Sequence, residues 1–141
     1  MVQLDILQMH GTGTSLGDPI EVGAFAAVFG RGSAAAAPTT APVALITSKS
    51  SMGHAEPAAG IVGLLHSLNA VQQAALPSLM HLRALNPFVE GALSSSRSGS
   101  CFLPRQLAPR AAVLTSQALV SGISSFAFQV CMWVCRPCIG M

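Results

Sequence analysis

Apolar runs and polar, glycine-bearing turns alternate along this chain. Val2 to Gln8 is largely apolar and predicts a buried strand, which opens into the turn from His10 to Gly17, HGTGTSLG. Asp18 and Pro19 then start a helix: an acidic cap, a proline pre-set for the first helical position, and Glu21 in the first turn. Ile20, Ala24, Ala27 and Val28 give that helix an apolar face, up to Gly30. Gly32 to Pro42 is an Ala/Thr/Pro linker with no packing instruction, which predicts a surface loop.

Val43 to Ile46 reads as a second strand, followed by another polar turn from Thr47 to His54. Pro57 to Gln73 is a largely apolar helix that contains Gly60 and Gly63. A glycine inside a helix costs about 1 kcal/mol against alanine, so the pair predicts close approach of another backbone. Leu76 to Asn86 is an irregular crossing segment, Leu93 to Gly99 an exposed loop, and Val113 to Ser125 and Phe128 to Val134 are closing strands. The architecture is therefore α/β, without an internal repeat. Its polar residues gather in turns that follow strands, where open α/β sheets place their sites.

Composition narrows the class. Of 141 residues 51% are hydrophobic and 9% charged, and the net charge is +2. That field is too weak and dispersed for nucleic-acid binding. The apolar content also argues against disorder. A soluble domain carries about a quarter of its residues charged, so this chain is either membranous or an interior portion of something larger. Ala111 to Cys135 is uncharged and long enough for a bilayer span, but serines, threonine and glutamines interrupt it. A buried strand pair is the better reading, and no membrane partner is expected. The N-terminus lacks the basic and apolar regions of a signal peptide, which points to the cytoplasm.

Cys131, Cys135 and Cys138 form C-x3-C-x2-C, a spacing that some iron–sulfur enzymes use. With no following sequence to build a pocket, a chance match is favoured and no metal is expected. Cys101 stands alone. Gly11, Gly13 and Gly17 imitate a dinucleotide loop, but the spacing is off and no acidic ribose partner follows.

Two of the four histidines share one context. His10 ends a strand and opens a Gly/Thr turn, and His54 closes a strand–turn just before a helix. Neutral imidazole can donate or accept a proton near neutral pH, so matched positions favour a joint chemical role. His66, within the helix, and His81, in the crossing segment, read as structural.

Met9 to Gly30, MHGTGTSLGDPIEVGAFAAVFG, and Ser48 to Leu65, SKSSMGHAEPAAGIVGLL, resemble the two active-site blocks of β-ketoacyl synthases. The likeness is closest to the ketosynthase domains of type I polyketide and fatty acid synthases. Leu76 to Glu90 resembles their crossing segment, and GISSFAF, Gly122 to Phe128, their final loop. The resemblance implies a partial thiolase-like fold, a mixed sheet with packed helices from the C-terminal half. It implies decarboxylative Claisen condensation of an acyl thioester with a malonyl-type extender. No cofactor is bound directly, since substrates ride on the phosphopantetheine of an acyl carrier protein. By position, His10 and His54 match the catalytic histidines and Lys49 the active-site lysine, with Asp18 and Glu21 as candidate acidic partners for it. Thr12 and Thr14 match the threonines that bind the pantetheine arm. Phe126 and Phe128 fall on the loop that helps form the oxyanion hole, though core packing explains them equally well.

The chain also departs from the family. The nucleophilic cysteine belongs to the N-terminal half, and none of the four cysteines matches it. Where the family continues SFGFGGTNAHV, this sequence runs SFAFQVCMWVC, with Ala127, Gln129 and Val130 in place of glycines. The expected division is residues 1–128 as the ketosynthase portion and 129–141 as a divergent apolar, cysteine-rich tail, as after an altered reading or splice event. Ser51 stands where many relatives have asparagine. Three readings follow: a partial ketosynthase that is inactive alone, a non-catalytic remnant or interaction subunit, or a small membrane-anchored protein. The expected partners are an acyl carrier protein and an N-terminal ketosynthase half or larger synthase, in a family that is homodimeric.

Overall fold

The computed structural model describes residues 4–29, 42–95, 101–109, 119–126 and 130–135. Its elements are β1 (Ile6–Gln8), α1 (Gly17–Phe29), β2 (Val43–Ile46), α2 (Lys49–Met52), a 3-10 turn (Glu56–Ala58) and α3 (Ala59–Gln72). They continue as β3 (Ala75–Leu76), α4 (Pro87–Ser95), β4 (Cys101–Phe102), β5 (Ala108–Pro109), β6 (Ser121–Phe126) and β7 (Val130–Cys135). One sheet runs in the order β4-β2-β1-β6-β7. Its first four strands are parallel, with Ile6 level with Ala44 on one side and Ser121 on the other. β7 closes the edge antiparallel to β6, Phe126 opposite Val130.

β1 and β2 are apolar on both faces because helices cover both. Leu7, Met9, Val43 and Leu45 join Val22 and Phe25 of α1 and Val89 of α4 in one core layer. Ile6, Ala44 and Ile46 point the opposite way, toward Ala70 and Val71 of α3 and Leu76 and Leu119. The alternation is the two-residue period of a strand. Asp5, itself buried, ties the sheet at its base by accepting the Val120 N–H at 2.8 Å.

The expected apolar face of α1 is the outer one. Ile20 and Val28 are 63% and 71% exposed, Ala24 and Ala27 are exposed too, and the core takes Glu21, Val22 and Phe25 instead. The helix sequence, GDPIEVGAFAAVF, is apolar almost all round, so periodicity has no single direction to report. Glu21 decides the side, because its carboxylate has hydrogen-bond donors beneath the helix and none in an apolar outer row.

Other differences are smaller. α4 extends to Ser95, into the stretch expected to be a loop from Leu93. A one-turn helix, α2, forms inside the second polar turn, and β4 adds an edge strand the pattern does not announce. Gly60 and Gly63 do mark close approach, but of side chains: an added Cβ would lie 3.3 Å from Ser125 Oγ and 3.3 Å from Gln8 Cγ, respectively. The expected linker up to Ala41 and the strand residues from Val113 to Ala118 lie outside the described residues.

The described part of the uncharged C-terminal stretch is strands β6 and β7, not a helix. Among the described residues no helix is long and apolar enough to cross a membrane. β7, beyond residue 128, is paired along its whole length with β6. Cys131 and Cys135 lie four residues apart on this strand, and Cys138 lies outside the described residues.

Candidate active site

Three adjacent parallel strands deliver the site from their C-terminal ends. β1 leads to His10, β2 to Lys49, and β6 ends on Phe126. His54 joins them from the turn before α3. The rings of His10 and His54 meet edge to face with centroids 5.5 Å apart, and Phe126 meets His10 at the same separation. Lys49 Nζ donates to the carbonyl oxygen of His10 at 2.6 Å and reaches its Nδ1 at 3.4 Å.

These contacts fix both imidazoles. An ammonium has only donors, so Nδ1 of His10 accepts and the ring hydrogen is on Nε2. The main-chain N–H of Glu56 donates to Nδ1 of His54 at 2.8 Å, which again leaves the hydrogen on Nε2. Burial pushes the His10 imidazole below its ordinary value, the Lys49 and His54 charges push the same way, and Asp18 opposes them. His10 is therefore neutral at neutral pH. Burial also lowers the Lys49 ammonium, against the carboxylates of Glu21 and Asp18.

Those carboxylates act on Lys49 through charge, while their hydrogen bonds go elsewhere. Buried Glu21 accepts the backbone N–H groups of His10 at 2.8 Å and Gly11 at 3.0 Å, one on each oxygen. Asp18 accepts the N–H of Gly13 at 3.1 Å. Their carboxylates thus hold the histidine turn, and the lysine holds the histidine. Gly11 is required there, since its φ is 50° and a Cβ would meet Thr47 Oγ1 at 3.0 Å.

Thr12 and Thr14 lie on the same turn, hydroxyls 3.4 Å apart, and Thr14 Oγ1 accepts the Gly17 N–H at 3.0 Å. Beside them opens a cavity of about 390 Å3. Thr12, Thr14, Lys49 and Asn86 line its polar side, and Val89 and Leu103 its apolar side. His81 lines the same cavity, at a φ of 62°. Phe128 lies outside the described residues. Cys101 is on β4, two strands from β1, packed against the core layer under α1. Among the described residues no group of three or more His, Cys, Asp or Glu is arranged to hold a metal.

Glu56 escapes sequence reasoning because it acts through its main chain; the only signal is its position two residues after a histidine in a turn.

Residues 1–83 match the family described as beta-ketoacyl synthase, C-terminal domain. The chain belongs to this ketosynthase family. It is 40% identical over 87 residues to one of the phenolphthiocerol/phthiocerol polyketide synthase subunits of Mycobacterium tuberculosis, an alignment that takes in 62% of this chain and 4% of that protein. It is 36% identical over 130 residues to the PKS-NRPS hybrid synthetase ATPKS of Aspergillus niger, covering 88% of this chain and 7% of that one. Among solved structures, the oxazolomycin ketosynthase domain OzmH KS7 of Streptomyces albus superposes with a TM-score of 0.71 at 32% identity, over 88% of this chain and 20% of that chain. The ketosynthase chain thus spans a small share of the length of these relatives, and its mixed sheet with packed helices is part of the thiolase-like fold.

Proposed function

We propose that this chain supplies the histidine-bearing part of a condensing site for polyketide or fatty acid assembly. The observation that carries this reading is the pair of imidazoles, His10 and His54, each locked by a partner on Nδ1 so that both present an Nε2–H. In decarboxylative condensation the bond to the extender's carboxylate breaks, CO2 leaves, and the electron pair moves into an enolate. Two fixed N–H donors stabilise the oxygen on which that charge develops. The enolate carbon then attacks an acyl thioester, a C–C bond forms, and the thiolate leaves. Burial, aided by the Lys49 charge, keeps His10 neutral, and Lys49 holds its hydrogen on Nε2.

As the resemblance implies, the acylated cysteine comes from a nucleophile-bearing half; Cys101 itself lies on the edge strand β4, two strands from β1. The hydroxyls of Thr12 and Thr14 receive the pantetheine arm of an acyl carrier protein, and, as the resemblance implies, the loop of Phe126 and Phe128 helps form the oxyanion hole for the thioester carbonyl. A second reading, a non-catalytic subunit that pairs with a complete ketosynthase, is favoured by the bare apolar rows of α1 (Ile20, Val28) and α3 (Ile61, Leu65).

Co-expression with an N-terminal ketosynthase half separates the two. Recovered malonyl decarboxylation that His10→Ala or His54→Ala reduces by roughly a hundredfold supports the condensing role. A soluble, co-folded pair without decarboxylation overturns it and leaves the interaction reading.

A further inference from the structure

Gln8 is the last residue of β1, and the chemistry above gives it no part although its amide is 1% exposed. Its nitrogen lies 3.3 Å from the carbonyl oxygen of Met9 and 3.4 Å from Ser48 Oγ. Its oxygen lies 2.7 Å from Nδ1 of His66 on α3. These partners orient the chain of bonds. A carbonyl oxygen only accepts, so the NH2 faces Met9; the amide oxygen then faces His66, whose Nδ1 must carry the hydrogen. His66 thus holds the opposite tautomer to His10 and His54.

α3 is shaped to receive this side chain. Gly63, one turn before His66, leaves room for Gln8 where a Cβ would crowd its Cγ at 3.3 Å. The residues that Gln8 touches are the roots of the site. Met9 is joined to His10, Ser48 is joined to Lys49, and α3 follows the His54 turn. The Lys49 to His10 Nδ1 contact is 3.4 Å, near the limit of a hydrogen bond, and a slip of either turn breaks it.

We propose that His66 and Gln8 are positioning residues, forming a one-way hydrogen-bond relay from α3 to the ends of β1 and β2 that keeps the Lys49 ammonium on Nδ1 of His10. Its catalytic consequence rests on the condensing role proposed above, whereas its geometry does not. The relay is directional: His66 donates to the Gln8 oxygen and anchors it, and the Gln8 NH2 donates to both turns. An apolar residue at position 66 leaves the buried Gln8 oxygen unpartnered and removes its shortest bond, so the side chain and its two longer donations to Met9 and Ser48 slacken.

The test is imidazole nitrogen NMR on the full chain labelled with 15N-histidine and purified with a co-expressed N-terminal ketosynthase half. The wild type is expected to show His66 as the Nδ1–H form and His10 as the Nε2–H form. His66→Leu should turn the His10 signal into a mixture of tautomers. It should also lower kcat for malonyl decarboxylation on the order of tenfold, with KM unchanged. His66→Asn, which offers an amide NH2 from a similar position, should restore both. Wild-type His66 protonated on Nε2 overturns the relay before any variant is made. A folded His66→Leu with an unmoved His10 tautomer overturns it too. If His66→Leu does not fold, Gly63→Ala is the second perturbation, and an unchanged His10 signal there has the same meaning. Absence of decarboxylation in a wild-type pair whose tautomers are as expected counts against the condensing role and leaves the relay standing.

Discussion

The main-chain N–H of Glu56 donates to Nδ1 of His54, and Glu56 holds a φ of 45° at that point. A non-glycine residue in this region is strained by roughly 1–2 kcal/mol, so the turn is held by its surroundings. The bond matters because it sets which nitrogen of His54 carries the hydrogen.

Glu56→Gly keeps the N–H and suits the positive φ, so the His54 tautomer and decarboxylation by the co-expressed pair should persist. Glu56→Pro removes the donor and cannot hold that φ. Decarboxylation should then fall by roughly a hundredfold, the scale of losing one oxyanion donor. Steady-state rates of the two variants, compared with wild type, check this.

Acid should destabilise the fold in a defined window. Burial lowers the imidazoles of His10 and His66 in the folded state. Above about pH 6.5 both are neutral whether folded or unfolded. As pH falls below about 6.5 the unfolded chain takes up protons first, and stability declines until the folded-state values are passed. Urea midpoints measured from about pH 7.5 to about pH 5 should show this loss. His66→Asn, which removes one of the two groups, should flatten the curve.

Glu21→Gln should be costly despite its near-identical shape. One oxygen becomes an NH2 that faces a backbone N–H of His10 or Gly11, leaving a buried donor unsatisfied. The expected loss is about 1–3 kcal/mol by urea unfolding. Removing this negative charge should also lower the Lys49 ammonium further, since Glu21 is the larger of the two carboxylate influences opposing its burial. A titration of Lys49 by NMR measures that shift.

Phe25→Ala and Ile20→Glu test which side of α1 faces the core. Phe25 is buried and should cost about 3–5 kcal/mol on truncation. Ile20, on the bare row, should change stability by about 0.5 kcal/mol or less while reducing aggregation seen by light scattering. The reverse ranking would mean that α1 packs by its other side.

Much of the site was legible in the sequence because its chemistry is local to two turns. His10 and Lys49 each follow a short apolar run, and a run of that kind between glycine-bearing turns has few structures open to it. Less legible was anything decided by a partner distant in sequence. Ile20 and Phe25 are equally apolar, so only the Glu21 contacts with the loop below select the buried side. Gln8 looks like an interruption at a strand end until α3 folds over it. Glu56 contributes an N–H that every residue but proline possesses, so no side-chain pattern could mark it. β4 is two residues long and acquires its strand character from Val43 and Ala44 beside it.

β1 lies at the centre of the sheet, and among the described residues it precedes both strands that flank it. β2 can join it early, whereas the strand that covers its other edge comes about 115 residues later, the separation of the Asp5–Val120 bond. During synthesis the His10 turn therefore hangs from a half-paired strand with open backbone groups. Phe126 reaches His10 only when β6 docks, so that ring contact forms after the histidine turn itself has been made. A chain cut short before β6 would carry both histidines and the lysine, but His10 would lack the ring that meets it from the neighbouring strand.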